Sequence, residues 1–220
     1  MKKFISKVMA AGLLLVGIGI LFYPKISDYV NHLHSSKVIQ SFTDQMKDTG
    51  KEELDRQMAL AKEYSEGLRS FAAGSVPYDE ILNFGDGLMG YIRIPCIGVQ
   101  LPIYHGVSEA VLAKGVGHMP DTAFPIGGEG NHCVLTGLTG FPGAQLLSDL
   151  AKLEIGDLFY ITVADAVFTY QVDQIKTVSP LDGSDLVPVS GEDYCPLLTC
   201  TPYGINSHRL LVRGRRVADR

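Results

Sequence analysis

The segment with the clearest potential for chemistry lies near the carboxyl end of the chain. Cys200 ends an apolar run that begins at Cys195, and residues 201–206 have the composition of a turn. The chain then returns through residues 207–213, so a β-hairpin would put Arg209 roughly opposite the end of the strand that carries Cys200. A guanidinium beside a thiol favours the thiolate and can stabilise a developing oxyanion. The alternative is that Cys200 is a small buried apolar residue, as free cysteines often are.

Composition and cysteine spacing argue against other kinds of site. The 220 residues are 46% apolar and 20% charged, which suits one compact domain with a modest appendage. The formal net charge of -5 offers no basic face for nucleic acid. Cys96, Cys133, Cys195 and Cys200 lack the spacing of structural zinc sites, so we expect no metal and no cofactor. The first three are interpreted as buried free thiols, although a disulfide is permissible outside the cell.

The amino-terminal segment, residues 1–25, is predicted to be a signal-anchor transmembrane helix. Lys2, Lys3 and Lys7 come before an uncharged apolar run, residues 8–23. About 20 residues are available, enough to cross roughly 30 Å of hydrocarbon as a helix. The alternative is a cleaved signal peptide, but the run does not end in a small-x-small cleavage pattern. Lysines ahead of the span keep the amino terminus inside, so we expect a single-pass protein of the cell membrane whose folded domain lies on the extracellular face.

Residues 26–87 are predicted to form a helical stalk and linker. Apolar residues recur three or four positions apart and Gly50 interrupts the pattern, so we expect two helices, one of which packs on the folded domain.

Residues 88–220 are predicted to form a mainly β domain. Short runs rich in Ile, Val, Leu and Tyr alternate with Gly and Pro, which is typical of a sandwich or barrel. The predicted strands are residues 90–94, 99–104, 133–136, 158–163, 167–178, 196–200 and 210–212. Two short helices, residues 108–113 and 144–153, fit between these strands.

Two motifs around Cys200 and Arg209 resemble those of a known family. Leu-Leu-Thr-Cys-Thr-Pro-Tyr-Gly at 197–204 and Asn-Ser-His-Arg-Leu at 206–210 are similar to the nucleophile and arginine motifs of sortases, most closely of the pilin-polymerising class C. Further matches at residues 89–92, 101–106, 115–118 and 170–175 extend the resemblance over residues 79–216.

The resemblance implies a sortase-like eight-stranded β-barrel with short helices, preceded by the amino-terminal helices, and a cysteine transpeptidase activity. The sortase thiolate attacks the Thr–Gly bond of an LPxTG-like sorting signal. An amine then accepts the acyl group; it is a pilin lysine in pilus assembly or a cell-wall cross-bridge in housekeeping attachment. By this resemblance Cys200 is the nucleophile, and Arg209 holds the oxyanion or the substrate backbone. Thr199 and Tyr203 are expected to contact the substrate.

The sequence departs from the family pattern at a position that matters for chemistry. Sortases carry a histidine in a stretch reading approximately Thr-Gly/Ala-His-x-Gly-Leu-Pro, and the matching stretch at 136–142 has Leu138 in its place. Leucine can neither accept the thiol proton nor protonate the leaving amine. General acid–base catalysis of this kind typically raises the reaction rate by ~10²–10⁴-fold. We therefore expect this chain to bind sorting signals but to turn them over poorly or not at all. Deliberate inactivation and natural divergence into a pseudoenzyme are both open.

None of the other histidines is expected to replace the missing imidazole. His132 should lie ~20 Å away along its strand, and His208 should face away from Arg209 because adjacent strand residues face opposite sides. The remaining four belong to the stalk or to structural positions in the β domain: His32, His34, His105 and His118.

The sequence also lacks the Asp-Pro-aromatic lid motif that class C sortases carry before the barrel. Either Tyr78 and Asp79 form a shorter plug over the site, or the site is open. No second apolar span follows the β domain, which weakens the assignment to class C. Three hypotheses follow: an impaired sortase, a natural pseudoenzyme or binding module for sorting signals or pilins, and a plain surface β domain with an incidental cysteine. The specificity of the two motifs argues against the third.

Overall fold

The computed structural model describes residues 2–70, 76–140 and 146–217. The strands are β1 (Leu88–Ile94), β2 (Val99–His105), β3 (Val116–His118), β4 (Leu135–Thr136), β5 (Leu158–Val163), β6 (Ala166–Val178), β7 (Tyr194–Thr201) and β8 (His208–Arg216). The α-helices are α1 (Lys2–Asp48), α2 (Lys51–Ser70) and α3 (Glu109–Leu112). Short 3-10 helices occur at Tyr78–Glu80, Pro95–Ile97, Leu150–Lys152 and Ser184–Leu186.

The eight strands close into one barrel in the order β1-β2-β3-β4-β7-β8-β6-β5. The β2–β3 and β4–β7 pairs are parallel, and the other neighbours are antiparallel. The mainly β barrel with short helices is therefore confirmed. The strands predicted from the sequence do not include β3. A three-residue strand with a central Gly117 has neither the length nor the β-branched content that is typical of a strand.

Alternating side chains of the strands fill the barrel with one hydrophobic cluster. Ile92, Ile103, Leu135, Phe159 and Tyr170 have no exposed surface. The rings of Phe159 and Tyr170 stack with centroids 5.4 Å apart. This packed interior leaves only the outer surface and the barrel ends for a substrate.

Both α1 and α2 pack on the barrel. Phe42 and Met46 of α1 and Leu54 of α2 are buried against β1 and β2 residues. Two α2 side chains also accept hydrogen bonds from buried backbone: Gln57 Oε1 from Leu82 N at 2.7 Å, and Ser65 Oγ from Phe124 N at 3.1 Å. The helix break at Gly50 is as predicted, and both helices, rather than one, pack on the barrel. The role of residues 26–87 as a stalk and linker stays a prediction.

The predicted membrane span falls in the first half of α1. Within the described residues, no helix taken singly has both the length and the hydropathy to cross a bilayer. A pair of helical segments, Gly12–Tyr23 and Lys25–Asp48, meets both criteria when taken together, with a bend of 41° between them. The bend occurs at a proline, which has no N–H for the helix ladder. The transmembrane helix thus stays a prediction.

Tyr78 belongs to a buried aromatic cluster. Its hydroxyl lies 2.9 Å from Nδ1 of His118 and accepts a hydrogen bond from Gly106 N at 3.1 Å. Its ring stacks on those of His118 and Phe124. Register pairs His118 with Leu135, three residues before Leu138 along the chain. Tyr78 is therefore half-buried and packs on the core through these contacts, which do not include Cys200. Residues 71–75 of the possible lid lie outside the described residues.

The buried His118 makes stability depend on pH. Burial lowers the pKa of His118 to about 4, from an ordinary value near 6.5. Between these pH values the histidine is protonated in the unfolded chain but neutral in the folded chain. Its contribution to the free energy of unfolding is therefore complete above pH 6.5 and is lost as the pH falls towards 4. We expect this histidine to contribute a loss of about 1–2 kcal/mol in the free energy of unfolding between pH 7 and pH 5.

Urea unfolding of the full chain in detergent at the two pH values measures this loss. The variant His118→Gln should show a smaller loss than the unaltered chain. The matched variant His208→Gln, at an exposed histidine, should leave the loss unchanged. Equal pH dependence in all three proteins would contradict the assignment.

Candidate active site

The hairpin of β7 and β8 brings Cys200 and Arg209 together. The two are directly paired residues of the antiparallel ladder, as the sequence predicts. Side chains of paired residues in an antiparallel ladder lie on the same face, with strands about 4.8 Å apart. The thiol and the guanidinium therefore share one face of the barrel wall.

That face is the outer one. Leu197 of β7 and Val212 of β8 belong to the interior cluster, whereas Leu198 and Leu211 pack outside the barrel. Cys200 is two residues beyond Leu198 and so lies on the same outer face. It is half-buried, so its sulfur is not enclosed in the hydrocarbon core.

The guanidinium of Arg209 is held by the hairpin's own backbone. Its Nη1 donates to the carbonyl oxygens of Asn206, at 3.3 Å, and His208, at 3.1 Å. In the described part of the chain no ion pair involves this arginine. A half-buried cation without a carboxylate partner is suited to bind a developing negative charge.

Leu138 lies two residues beyond the end of β4, the strand that pairs with β7. Leu135 and Thr136 pair with Leu197 and Leu198 of β7, and Gly137 N continues the ladder by donating to Leu198 O at 3.0 Å. The next residue, Leu138, therefore lies at the level of Thr199 and Cys200. It is half-buried and packs against the interior cluster, and its carbonyl accepts from Leu147 N at 3.2 Å.

Tyr203 lies at the tip of the hairpin, with 71% of its surface exposed. Its ring packs over Gly140, where a Cβ would lie 3.1 Å from Cε2 of the ring. Gly140 has a φ of +70°, a conformation that glycine adopts without strain. The contact holds the segment after Leu138 against the hairpin that carries Cys200 and Arg209. This exposed aromatic ring, three residues after Cys200 along the chain, is available to a bound peptide.

Comparisons with known proteins agree with this architecture. The sortase domain family model matches residues 92–217, more than half of the chain. The chain belongs to the sortase family. A curated relative, sortase A of Streptococcus agalactiae, is 24% identical over 205 residues, which cover 90% of this chain and 79% of the relative.

Solved sortase C structures resemble the chain more strongly. Sortase C1 of Streptococcus agalactiae is 41% identical with a TM-score of 0.79, and the match covers 84% of this chain and all of that one. Sortase C of Streptococcus pneumoniae is 41% identical with a TM-score of 0.77, covering 83% of this chain and 97% of that one. The resemblance to class C sortases is thereby confirmed.

Thr199 of this sortase faces the barrel interior. It is 3% exposed, and its hydroxyl donates to Gly137 O at 2.8 Å and is hydrogen-bonded to the Thr139 hydroxyl. The predicted contact with substrate would require the segment from Gly137 to Gly140 to move away. In the observed arrangement Thr199 instead ties β7 to the segment that carries Leu138.

Removal of the Thr199 hydroxyl should loosen this connection. Thr199→Val keeps the shape of the side chain but leaves Gly137 O without its donor, so we expect the free energy of unfolding to fall by about 1–2 kcal/mol. Urea unfolding measures the effect, and Thr201→Val, at a less buried threonine of the same strand, is the control. A Thr199→Val protein as stable as the unaltered chain would contradict the role of this hydrogen bond.

The other histidines of the sortase barrel lie elsewhere. His132 is 3% exposed and packs edge-on against Tyr194, and in the described structure neither of its ring nitrogens has a hydrogen-bond partner. His208 is exposed and its Nδ1 lies 2.9 Å from Ser207 Oγ. His105 bonds the carbonyl oxygens of Gly87 and Ile81. That none of them replaces the missing imidazole stays a prediction.

Sequence reasoning did not find Gly137, Thr139 and Gly140 as residues that shape the site. A usable signal was present, because glycines on both sides of Leu138 indicate a tight turn between a strand end and the next segment. Within the described residues, no group of three or more His, Cys, Asp or Glu side chains is placed to hold a metal ion.

Proposed function

We propose that this sortase is a cysteine transpeptidase that cleaves LPxTG-like sorting signals and joins the acyl group to an amine, with its turnover impaired at Leu138. The observation that carries the proposal is the pairing of Cys200 with Arg209 on the outer face of the barrel. The half-buried thiol is reachable from solvent, and no carboxylate of the described residues is paired with the guanidinium beside it.

The proposed chemistry has two acyl transfers. The Cys200 sulfur attacks the threonine carbonyl carbon of the sorting signal, the Thr–Gly C–N bond breaks, and the glycine amine leaves with a proton. A thioester remains on Cys200. The acceptor amine then attacks this thioester, forms an amide bond and releases the thiolate. Arg209, by turning from its backbone carbonyl partners, hydrogen-bonds the oxyanion formed in each step.

The missing component is a group that moves protons. A proton must leave the thiol before attack and must reach the amine when the C–N bond breaks. The side chain of Leu138 lies where sortases carry their histidine by sequence pattern, and it has no atom that exchanges protons. We therefore propose that solvent supplies this role slowly, and that peptide binding exceeds turnover in this chain.

We propose pilin subunits as the substrates and a pilin lysine as the acceptor amine. The support is the likeness to sortase C structures at about 40% identity, among them the pneumococcal sortase C, which is described in terms of its pilin substrate specificity. We also propose that the apolar segment of α1 anchors the chain in the cell membrane with the barrel on the extracellular face. The charge pattern of its first residues supports this orientation.

A second candidate function is a binding module, a pseudoenzyme that holds sorting signals or pilins without cutting them. Leu138 specifically favours it, because every other part of the proposed site can bind a peptide without proton transfer. The two functions differ in whether any amide product forms.

A transfer assay tests the proposal. The full chain in detergent is incubated with an LPxTG peptide and a lysine-containing pilin peptide, and the ligated product is measured by mass spectrometry against a peptide of scrambled motif. Slow, motif-dependent ligation is expected. Saturable binding of the LPxTG peptide without any product, even after restoration of histidine at position 138, would favour the binding module.

Arg209 should matter for turnover more than for folding. Arg209→Ala removes the oxyanion donor and is expected to lower kcat/KM by about 10², measured in the Leu138→His background where rates are higher. Arg209→Lys keeps the charge but loses the planar fork, so an intermediate loss is expected. Arg93→Ala, at another strand arginine whose guanidinium stacks on Tyr160, is the matched control. A kcat/KM that is equal in Arg209→Ala and in the control would contradict the role.

A further inference from the structure

Two buried thiols lie side by side in the barrel wall. Cys133 N donates to Tyr194 O at 3.1 Å, and the parallel register continues with Leu135 beside Leu197. Cys133 is therefore the lateral neighbour of Cys195. Both residues have no exposed surface and belong to the interior cluster, so both side chains point into the barrel.

This arrangement meets the geometric requirement for a disulfide. Neighbouring strands lie about 4.7–4.9 Å apart, and disulfides join Cα atoms that are about 4.4–6.8 Å apart. The two side chains are close enough to affect each other, because Cys195 is one of the groups that raise the pKa of the Cys133 thiol. Cys200, by contrast, faces the outer surface, and Cys96 is an exposed residue in the turn after β1.

We infer that Cys133 and Cys195 are a disulfide-forming pair whose oxidised form locks the segment leading into β4 to β7. A thiolate of the pair attacks a disulfide oxidant, such as oxidised glutathione or an oxidised thiol–disulfide exchange protein, and gives a mixed disulfide. The second thiolate then attacks the mixed disulfide and displaces the oxidant's other sulfur, so one S–S bond forms, and the two protons lost by the pair are taken up by the oxidant, which is reduced to two thiols.

The bond would act on the strands that carry the site. Cys133 comes five residues before Leu138, and Cys195 comes five before Cys200, so one covalent link fixes the spacing of both. The closed loop spans about 60 residues, a length at which a crosslink restricts the unfolded chain strongly. The nucleophile is left as a free thiol.

Access decides when the bond forms. Burial raises the pKa of the Cys133 thiol, so the closed barrel holds an unreactive pair. Oxidation therefore occurs while the barrel is forming or during transient opening. Once formed, the disulfide is equally protected from reductants.

Refolding of the full chain from urea in detergent, with a glutathione redox buffer or with reductant alone, tests the inference. Free thiols are then alkylated under denaturing conditions, and the digest is examined by mass spectrometry. We expect a peptide that links Cys133 to Cys195, with Cys96 and Cys200 alkylated or carrying glutathione. The oxidised protein should unfold about 10 °C higher than the reduced one.

The matched variants separate this pair from other thiol effects. Cys96→Ala should retain both the crosslinked peptide and the shift in Tm, whereas Cys195→Ala should lose both. Recovery of Cys133 and Cys195 as separately alkylated thiols after oxidative refolding of the unaltered chain would overturn the inference. Because the readouts are a covalent link and a Tm, this outcome is independent of whether the chain transfers peptides.

Discussion

Replacing Leu138 with histidine is expected to raise the rate of peptide transfer by about 10²–10⁴-fold. The backbone at this position is set by hydrogen bonds that do not involve the side chain: Gly137 N donates to Leu198 O, and Leu138 O accepts from Leu147 N. An imidazole at position 138 would be half-buried, just beyond the end of β4 and at the level of Cys200 on the adjacent β7. It would accept the thiol proton and deliver it to the leaving amine.

The measurement is kcat/KM for ligation of an LPxTG peptide over a range of pH. The His variant should acquire a pH dependence in kcat that the unaltered chain lacks, because a titrating group has entered the reaction. Leu138→Met, which keeps an aliphatic side chain, is the matched control and should leave the rate unchanged. If the His variant binds peptide normally and stays inert, the chain is better described as a binding module.

Cys200→Ala should abolish transfer completely, both alone and together with Leu138→His. The thioester cannot form without the sulfur, and no other thiol replaces it. Cys133 and Cys195 are buried in the barrel, and Cys96 lies in the turn after β1.

Ligation product per hour is the readout for this substitution. Cys96→Ala, which removes an exposed thiol remote from the hairpin, should retain full activity and serves as the control. Residual ligation by Cys200→Ala at the level of the unaltered chain would exclude both sortase hypotheses.

Local rules were sufficient to predict the pairing of Cys200 with Arg209. Only a short turn separates the two strands, so their register follows from the length of the hairpin. The alternation of side chains along a strand also put His208 on the far face. Applied to Thr199, the same rule predicts that this residue faces inward, opposite to Cys200, and the resemblance alone suggested a substrate contact for it.

The surroundings of Leu138 depend on contacts that local patterns do not contain. β4 has two residues and is held in place by β7, more than 60 positions later in the chain. The hydroxyls of Thr139 and Thr199 are hydrogen-bonded across 60 positions. Such non-local pairings follow from the closed barrel, which the resemblance implies and the strand pattern alone does not specify.

The amino-terminal helices illustrate a similar limit. The spacing of apolar residues predicts both helices and the break at Gly50, but it does not identify what each apolar face covers. In the structure Phe42 and Leu54 reach the same outer patch of the barrel, beside Tyr104. The same spacing of apolar residues is therefore compatible with a stalk of which one helix packs on the barrel and with two helices that both pack on it.

Mass spectrometry of a trapped reaction shows whether a sorting signal acylates Cys200. The full chain and its Leu138→His variant are incubated with an LPxTG peptide without an acceptor amine, quenched in acid, and digested to locate any adduct. We predict a thioester of the peptide's Leu-Pro-x-Thr portion on the fragment that contains Cys200, abundant in the His variant and sparse in the unaltered chain. A His variant that binds the peptide but never carries it on Cys200, or carries it on another residue, would contradict the account.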